Sequence, residues 1–329
     1  MALKLKQYRV HAGLTQARLA KAAGVSLPDY RQWESGAVPV PEKKLKKLAK
    51  VLDTSAEALM GRHPPVEARL YDKSVGEDLN YYGEVAIHFR GGGKSLLLSI
   101  SDGAFERLHQ DLLDNPPFVI VQSLANQTLI LRTRAIADLY FSSEAYDDFG
   151  PEHETYDGFQ ILLPDPRDWE IVEALACDGE GLDEFAPEDV QRVSKRVMIT
   201  DEQYETLVAE GKISPDELER EKEKNQEKTD RIFDLAVKTT YQLSSGQLRS
   251  ISSIDPATLF EAFREFVDFD GDMDVDEEMA EGLLCLPAAG WHRTIFINKD
   301  ALDYVILPTH GLEQGRIESE AEMLEEEQE

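Results

Sequence analysis

Cysteine is nearly absent: Cys177 and Cys285 are the two in 329 residues. That is too few for a disulfide framework and fits a reducing cytoplasm. No apolar run approaches the ~18 residues of a membrane-spanning helix, so no membrane role is expected. The opening residues, Met1-Ala2-Leu3-Lys4-Leu5-Lys6, hold no apolar core and no cleavage signal, so no secretory leader is expected. The seven histidines are scattered, and Glu152-His153-Glu154 has no second histidine at helical spacing, so no zinc site follows. There is no Gly-x-Ser-x-Gly elbow and no cysteine in a nucleophile's context. Neither enzyme activity nor a cofactor is expected, and the expected location is cytoplasmic.

What is present is charge, unevenly placed. The chain carries 35 Lys and Arg against 64 Asp and Glu, a formal net charge of −29. Residues 1–62 nevertheless hold twelve basic and five acidic side chains, a net of +7, which leaves −36 on residues 63–329. Hydrophobic residues make up 42%, enough for a sizeable core, and the length suggests two or three units. An acidic chain is repelled by nucleic acid as a whole. A basic head on an acidic body can still bind through the head, with the body held clear of the duplex.

The head reads as four or five short helices. Leu5 and Tyr8 share a face of the first, and Gly13 stops it. Thr15 caps a second, Gln16 to Ala23, and Gly24 ends it. Ser26-Leu27-Pro28-Asp29 is a helix start, with Ser26 as N-cap and Asp29 able to close a capping box. That third helix turns Tyr30 and Trp33 inward and ends near Gly36. Glu42 to Leu52 aligns Leu45, Leu48, Ala49 and Leu52, and a short fifth helix can follow from Ser55 to Met60.

The run Leu14-Thr15-Gln16-Ala17-Arg18-Leu19-Ala20-Lys21-Ala22-Ala23-Gly24-Val25-Ser26, followed by Trp33-Glu34-Ser35-Gly36, resembles the lambda repressor/Cro type (XRE family) of helix-turn-helix domain. The resemblance covers about sixty residues. It implies that the third helix enters the major groove of double-stranded DNA, with the starts of helices 2 and 3 near phosphates. By position, Gln16 caps helix 2 and touches phosphate or orients a reading side chain. Leu27, Pro28 and Gln32 face bases, Arg31 and Ser35 lie near the backbone, and Ser26 caps the reading helix. Lys43, Lys44, Lys46 and Lys47 would neutralise phosphates. Arg9 and Glu34 match a structural ion pair of the family. Leu27 and Pro28 stand where the family often has amides. They can touch thymine methyls only, which leaves Gln32 for bidentate reading of adenine. Modest specificity from one head, raised by dimerisation on a pseudo-palindromic site, is expected.

Residues 63–78, with Pro64-Pro65, read as a linker. Beyond it, strands at Glu84–Phe89 and Ser95–Ile100 flank Gly91-Gly92-Gly93. Asp102 caps a helix, and strands follow at Phe118–Ser123, Thr128–Arg132 and Ala135–Phe141. The same ββαβββ order recurs from Thr239 to Leu307, and Thr128-Leu129-Ile130-Leu131 matches Thr294-Ile295-Phe296-Ile297. The expected architecture is therefore multidomain. An all-α head (1–62) and linker (63–78) lead to an α+β unit (79–165), a helical connector (166–237), a second α+β copy (238–311) and a frayed acidic tail (312–329). Two chance alternating segments are the alternative to duplication. In the connector, Thr200-Asp201-Glu202-Gln203 and Ser214-Pro215-Asp216-Glu217 look like capping boxes.

Gly91-Gly92-Gly93-Lys94-Ser95 resembles the end of a P-loop but lacks its first glycine and its following helix, so a hairpin turn is the better reading. Asp270 to Glu281 has calcium-loop spacing, but Val275 stands where the sharp turn wants glycine. A solvated acidic loop is favoured over a loose cation site. The expected function is a sequence-specific DNA-binding transcriptional regulator, most simply a repressor, whose acidic body sets a homo-oligomeric state or receives a signal. The rival is an antitoxin-like or phage-encoded interaction protein whose acidic body binds a basic protein partner. A head that makes only protein contacts would also fit that rival.

Overall fold

Five short helices open the chain: α1 (Ala2–His11), α2 (Gln16–Ala23), α3 (Leu27–Glu34), α4 (Glu42–Val51) and α5 (Ala56–Leu59). The computed structural model describes residues 2–70, 72–143, 161–252, 254–267, 281–288 and 293–326. Local chemistry accounts for each boundary in the head. The Thr15 hydroxyl accepts from the Arg18 N–H at 3.2 Å, and the chain leaves α2 through Gly24 at φ 63°, a conformation that costs glycine nothing. The Ser26 hydroxyl then accepts from the Asp29 N–H at 3.2 Å to start α3. Leu5, Leu19, Tyr30, Trp33, Leu45 and Leu48 close over one another as the head's core.

The body is α+β with several sheets. A short strand β1 (Arg69–Leu70) pairs in parallel with the start of β2 (Asn80–Phe89), so part of the expected linker is ordered against the body. Then come β3 (Leu96–Ser101), α6 (Asp102–Asp114), β4 (Phe118–Gln122), β5 (Gln127–Arg132) and β6 (Ile136–Ser142). Four helices follow: α7 (Pro166–Ala176), α8 (Pro187–Val197), α9 (Asp201–Ala209) and α10 (Leu218–Val237). The remainder is β7 (Lys238–Leu243), β8 (Leu248–Ser252), α11 (Pro256–Val267), β9 (Leu283–Ala288), β10 (Arg293–Asn298), β11 (Leu302–Pro308) and α12 (Thr309–Glu326).

The two β-rich stretches pair their strands in the same scheme. β2 lies between β3 and β6, as β7 lies between β8 and β11, while β4 pairs with β5 and β9 with β10. They are joined by an antiparallel ladder between β5 and β11, in which Ile130 faces Val305 and Leu129 faces Ile306. The result is a five-stranded sheet ordered β4-β5-β11-β7-β8.

Its central strands β5 and β11 are buried on both faces, and the period of two along them shows how. Phe118, Ile130, Val305 and Leu307 join the core under α11, together with Leu284, Leu286 and Ile297. Val119, Val121, Leu129, Leu131 and Tyr304 point the other way, against Val85, Ile87, Leu98 and Leu108. A strand buried on both faces reads as a continuous apolar run, which is why Leu129-Ile130-Leu131 shows no polar alternation. A further core surrounds Trp169, whose indole N–H donates to the Leu163 carbonyl. The start of α10 is largely exposed, whereas Thr229, Ile232 and Ala236 are buried.

Several sequence expectations need correction. Residues 309–326 form a helix instead of a frayed tail, because Leu312, Ile317 and Ala321 find partners on α11 and α1. The hydroxyl of Ser101, one residue before Asp102, caps α6. The Thr200–Gln203 capping box is complete, but at the second site Ser214 bonds the Glu217 carboxylate and α10 starts at Leu218 without a side-chain cap. Helix α8, which falls within the expected helical connector, buries Val193 and Val197. Glu152–Glu154 and almost all of the Asp270–Glu281 segment lie outside the described residues.

Gly315 sets the course of α12. A Cβ there would sit 2.0 Å from the Pro256 carbonyl oxygen and 2.7 Å from the Phe260 Cβ. Alanine favours a helix by about 1 kcal/mol over glycine, but overpacking against backbone costs about 1–3 kcal/mol. Gly315→Ala is therefore expected to lower stability, read as a fall in the urea midpoint. An unchanged or raised midpoint would show that α11 and α12 are not in close contact.

Candidate nucleic-acid interface

The head places α3 across α2 with one face buried and one open. Tyr30, Trp33 and Glu34 are buried, while Pro28, Asp29, Arg31, Gln32 and Ser35 are exposed. Leu27 is half-buried and packs on the head core, so its side chain is only partly available to a base. The N-terminus of α3 is occupied by Ser26, and the Ser35 hydroxyl donates to the Gln32 carbonyl at 3.2 Å.

Gln16 is the first residue of α2; the cap itself is Thr15. Its side chain bridges the two helices. Nε2 donates to Glu34 Oε1 at 3.1 Å, and Oε1 accepts from Arg31 Nε at 3.1 Å. Gln16 therefore links Arg31 to Glu34. Behind it, Arg9 grips Glu34 with Nε and Nη2, each at 2.9 Å, and Nη1 donates to the Leu14 carbonyl. Both members of the pair are almost fully buried.

Burial alone would raise the Glu34 carboxyl. Hydrogen bonds from Arg9 and Gln16, with the Arg9 charge, outweigh burial and hold it below the usual carboxylate range. Burial likewise opposes the Arg9 charge, and Glu34 more than offsets it. Burial, then the Glu34 charge, pushes the Tyr30 hydroxyl far above its ordinary range.

The α4 lysines split into two kinds. Lys43 and Lys47 are exposed. Lys44 Nζ reaches back to the Gly24 carbonyl at 3.3 Å, and Lys46 Nζ pairs with Glu42 at 2.8 Å.

A residue not singled out from the sequence also belongs here. Glu325 of α12 sets Oε1 2.7 Å from the backbone N of Gln16 and 3.4 Å from Arg9 Nη1. Other ties hold head to body: Lys4 pairs with Glu170 at 2.9 Å, and Arg167 Nη1 donates to the carbonyls of Gly61 and His63. The sequence signal for Glu325 is the spacing Glu318, Glu322, Glu325, which puts three carboxylates on one helical stripe.

Residues 5–59 match the helix-turn-helix family model. The segment is the XRE type that Gln16, Gly24 and Trp33-Glu34 point to, and it supports a DNA-binding transcription regulator in general terms. No curated protein and no solved structure shows a significant match to the chain. Among the described residues no helix is long and apolar enough to cross a membrane, and no cluster of His, Cys, Asp and Glu could hold a metal ion.

Breaking a buried ion pair by removing one partner costs about 3–5 kcal/mol. Glu34→Gln is expected to loosen the head by that order, read as faster amide exchange in α1 and α3. Because Glu34 is depressed in the fold, its contribution is complete above the ordinary carboxylate pKa of ~4.3 and is lost as pH falls through the lower folded value. The gap between wild type and variant should shrink in acid. A gap that widens in acid would contradict the assignment.

Proposed function

We propose that the chain is a sequence-specific DNA-binding transcriptional regulator acting as a repressor. One observation carries the reading: the α3 face bearing Pro28, Arg31, Gln32 and Ser35 is open and lies in the same small domain as the exposed Lys43 and Lys47 of α4. Gln32 has the donor–acceptor pair that reads adenine, and the lysines supply the sequence-independent attraction. The net +7 of residues 1–62 gives that attraction its sign.

The body supports the reading as a scaffold. We take its two β-rich stretches, with their shared ββαβββ order and pairing scheme, as copies of one unit. Their joint role is to pair heads over a pseudo-palindromic site or to receive a signal. Their negative charge confines DNA contact to the head, and the head's lysines and arginines make affinity fall steeply with salt.

Gel-shift titration against sites selected from random duplexes tests this. Gln32→Ala should cost about 1–3 kcal/mol at the base it reads and relax preference there. Lys43→Ala/Lys44→Ala should weaken all sequences alike and lower the salt slope by about one for each phosphate left unneutralised. Equal binding by wild type and both variants refutes the reading.

A further inference from the structure

The first backbone N–H of a helix is an orphan donor beside a positive dipole end, which suits an anion. At α2 that donor is the Gln16 N–H, and it is already taken by the Glu325 carboxylate at 2.7 Å, with Arg9 Nη1 as second donor. The contact is built into the packing. Ile317, Ala321 and Leu324, spaced three and four apart, lie with Val10 of α1 in one apolar cluster. One residue further round, Glu318, Glu322 and Glu325 line a cleft of about 410 Å³ with Lys6, Arg9 and Gln16. The helix that delivers them carries six glutamates and one arginine. The α3 reading face meanwhile stays exposed.

We infer that α12 is an intramolecular competitor for DNA: Glu325 occupies the phosphate site at the start of α2, so the described arrangement is a restrained state and tight DNA binding requires α12 to leave the head. This rests on the DNA-binding reading above. The logic is exclusion at one atom. The Gln16 N–H can serve a carboxylate or a phosphate but not both, and a docked helix with five more glutamates repels the backbone that approaches it. The geometry weakens phosphate capture and does not cover the α3 face. Docking should therefore lower affinity for every sequence and leave the order of preference among sequences unchanged.

The test uses the full chain and one selected duplex at fixed salt. Glu325→Gln weakens a charge-assisted hydrogen bond and should tighten binding about ten-fold. Glu320→Gln, which removes the same charge from a residue paired with Arg316, should tighten it less than about two-fold. In the second arm the exposed Cys177 and Cys285 are replaced by serine, and Val10→Cys/Ala321→Cys is introduced to lock α12 to α1. Oxidation should lower affinity at least about ten-fold, and reduction should restore it. Equal gains from E325Q and E320Q would make the effect one of net charge and overturn the inference. So would measurable binding that neither E325Q nor the lock alters, or a cysteine pair that fails to crosslink. If no form binds any duplex, including E325Q and the reduced double-cysteine protein, the DNA-binding reading falls and the inference falls with it.

Discussion

The antiparallel ladder between β5 and β11 is the constraint on which the body depends. It joins strands that lie on opposite sides of the connector α7–α10 in the sequence, and each strand contributes to the cores on both faces of the shared sheet. Neither β-rich stretch can therefore complete its apolar contacts alone. Two charged contacts seal the end of the ladder: Arg132 and Arg134 both reach Asp300, at 2.8 and 2.7 Å. The neighbouring turns also touch, with the Lys94 N–H donating to Gln242, which in turn donates to Asp303. Because β11 runs directly into α12, the same ladder aims that helix at the head.

The head is organised around a different principle, a buried charge pair with satellites. Arg9 and Glu34 neutralise each other in a small core, Gln16 spends its amide on Glu34 and Arg31, and Tyr30 packs behind. Removing the charges from water is costly, and the bidentate geometry with the extra bonds offsets that cost. The arrangement fixes the relative placement of α1, α2 and α3. A base-reading surface needs that rigidity more than it needs added stability.

The head was legible from sequence because its signals are local. Thr15 and Ser26 cap within three residues, and the Gly24 turn is dictated by its own backbone. Alternation likewise located the strands of the body. What stayed hidden depends on residues far apart in the chain. Nothing in Thr128–Leu131 says that its neighbour is Tyr304–Leu307, and the polar, glutamate-rich α12 looks like a solvated tail until Val10 and the α11 surface are seen opposite it. The misplaced cap at α6 has a simpler cause: Ser101 and Asp102 are both good cap residues, and sequence does not rank them. At the candidate interface Arg9 and Glu34 form a buried pair and Gln32 is exposed. Glu325 had no counterpart in the helix-turn-helix resemblance and could be found only in three dimensions.

The position of α12 in the polypeptide also bears on how the protein is made. About 250 residues separate it from the end of the head. At ~5–20 residues per second, a ribosome needs on the order of ten to fifty seconds to cover that distance. The last fully buried residue of the head's core is Leu59, so a cationic segment is present throughout that interval with no glutamate-bearing helix to meet it. A nascent chain would then face the polyanions around it, ribosomal RNA included, before its own anionic segment had been synthesised.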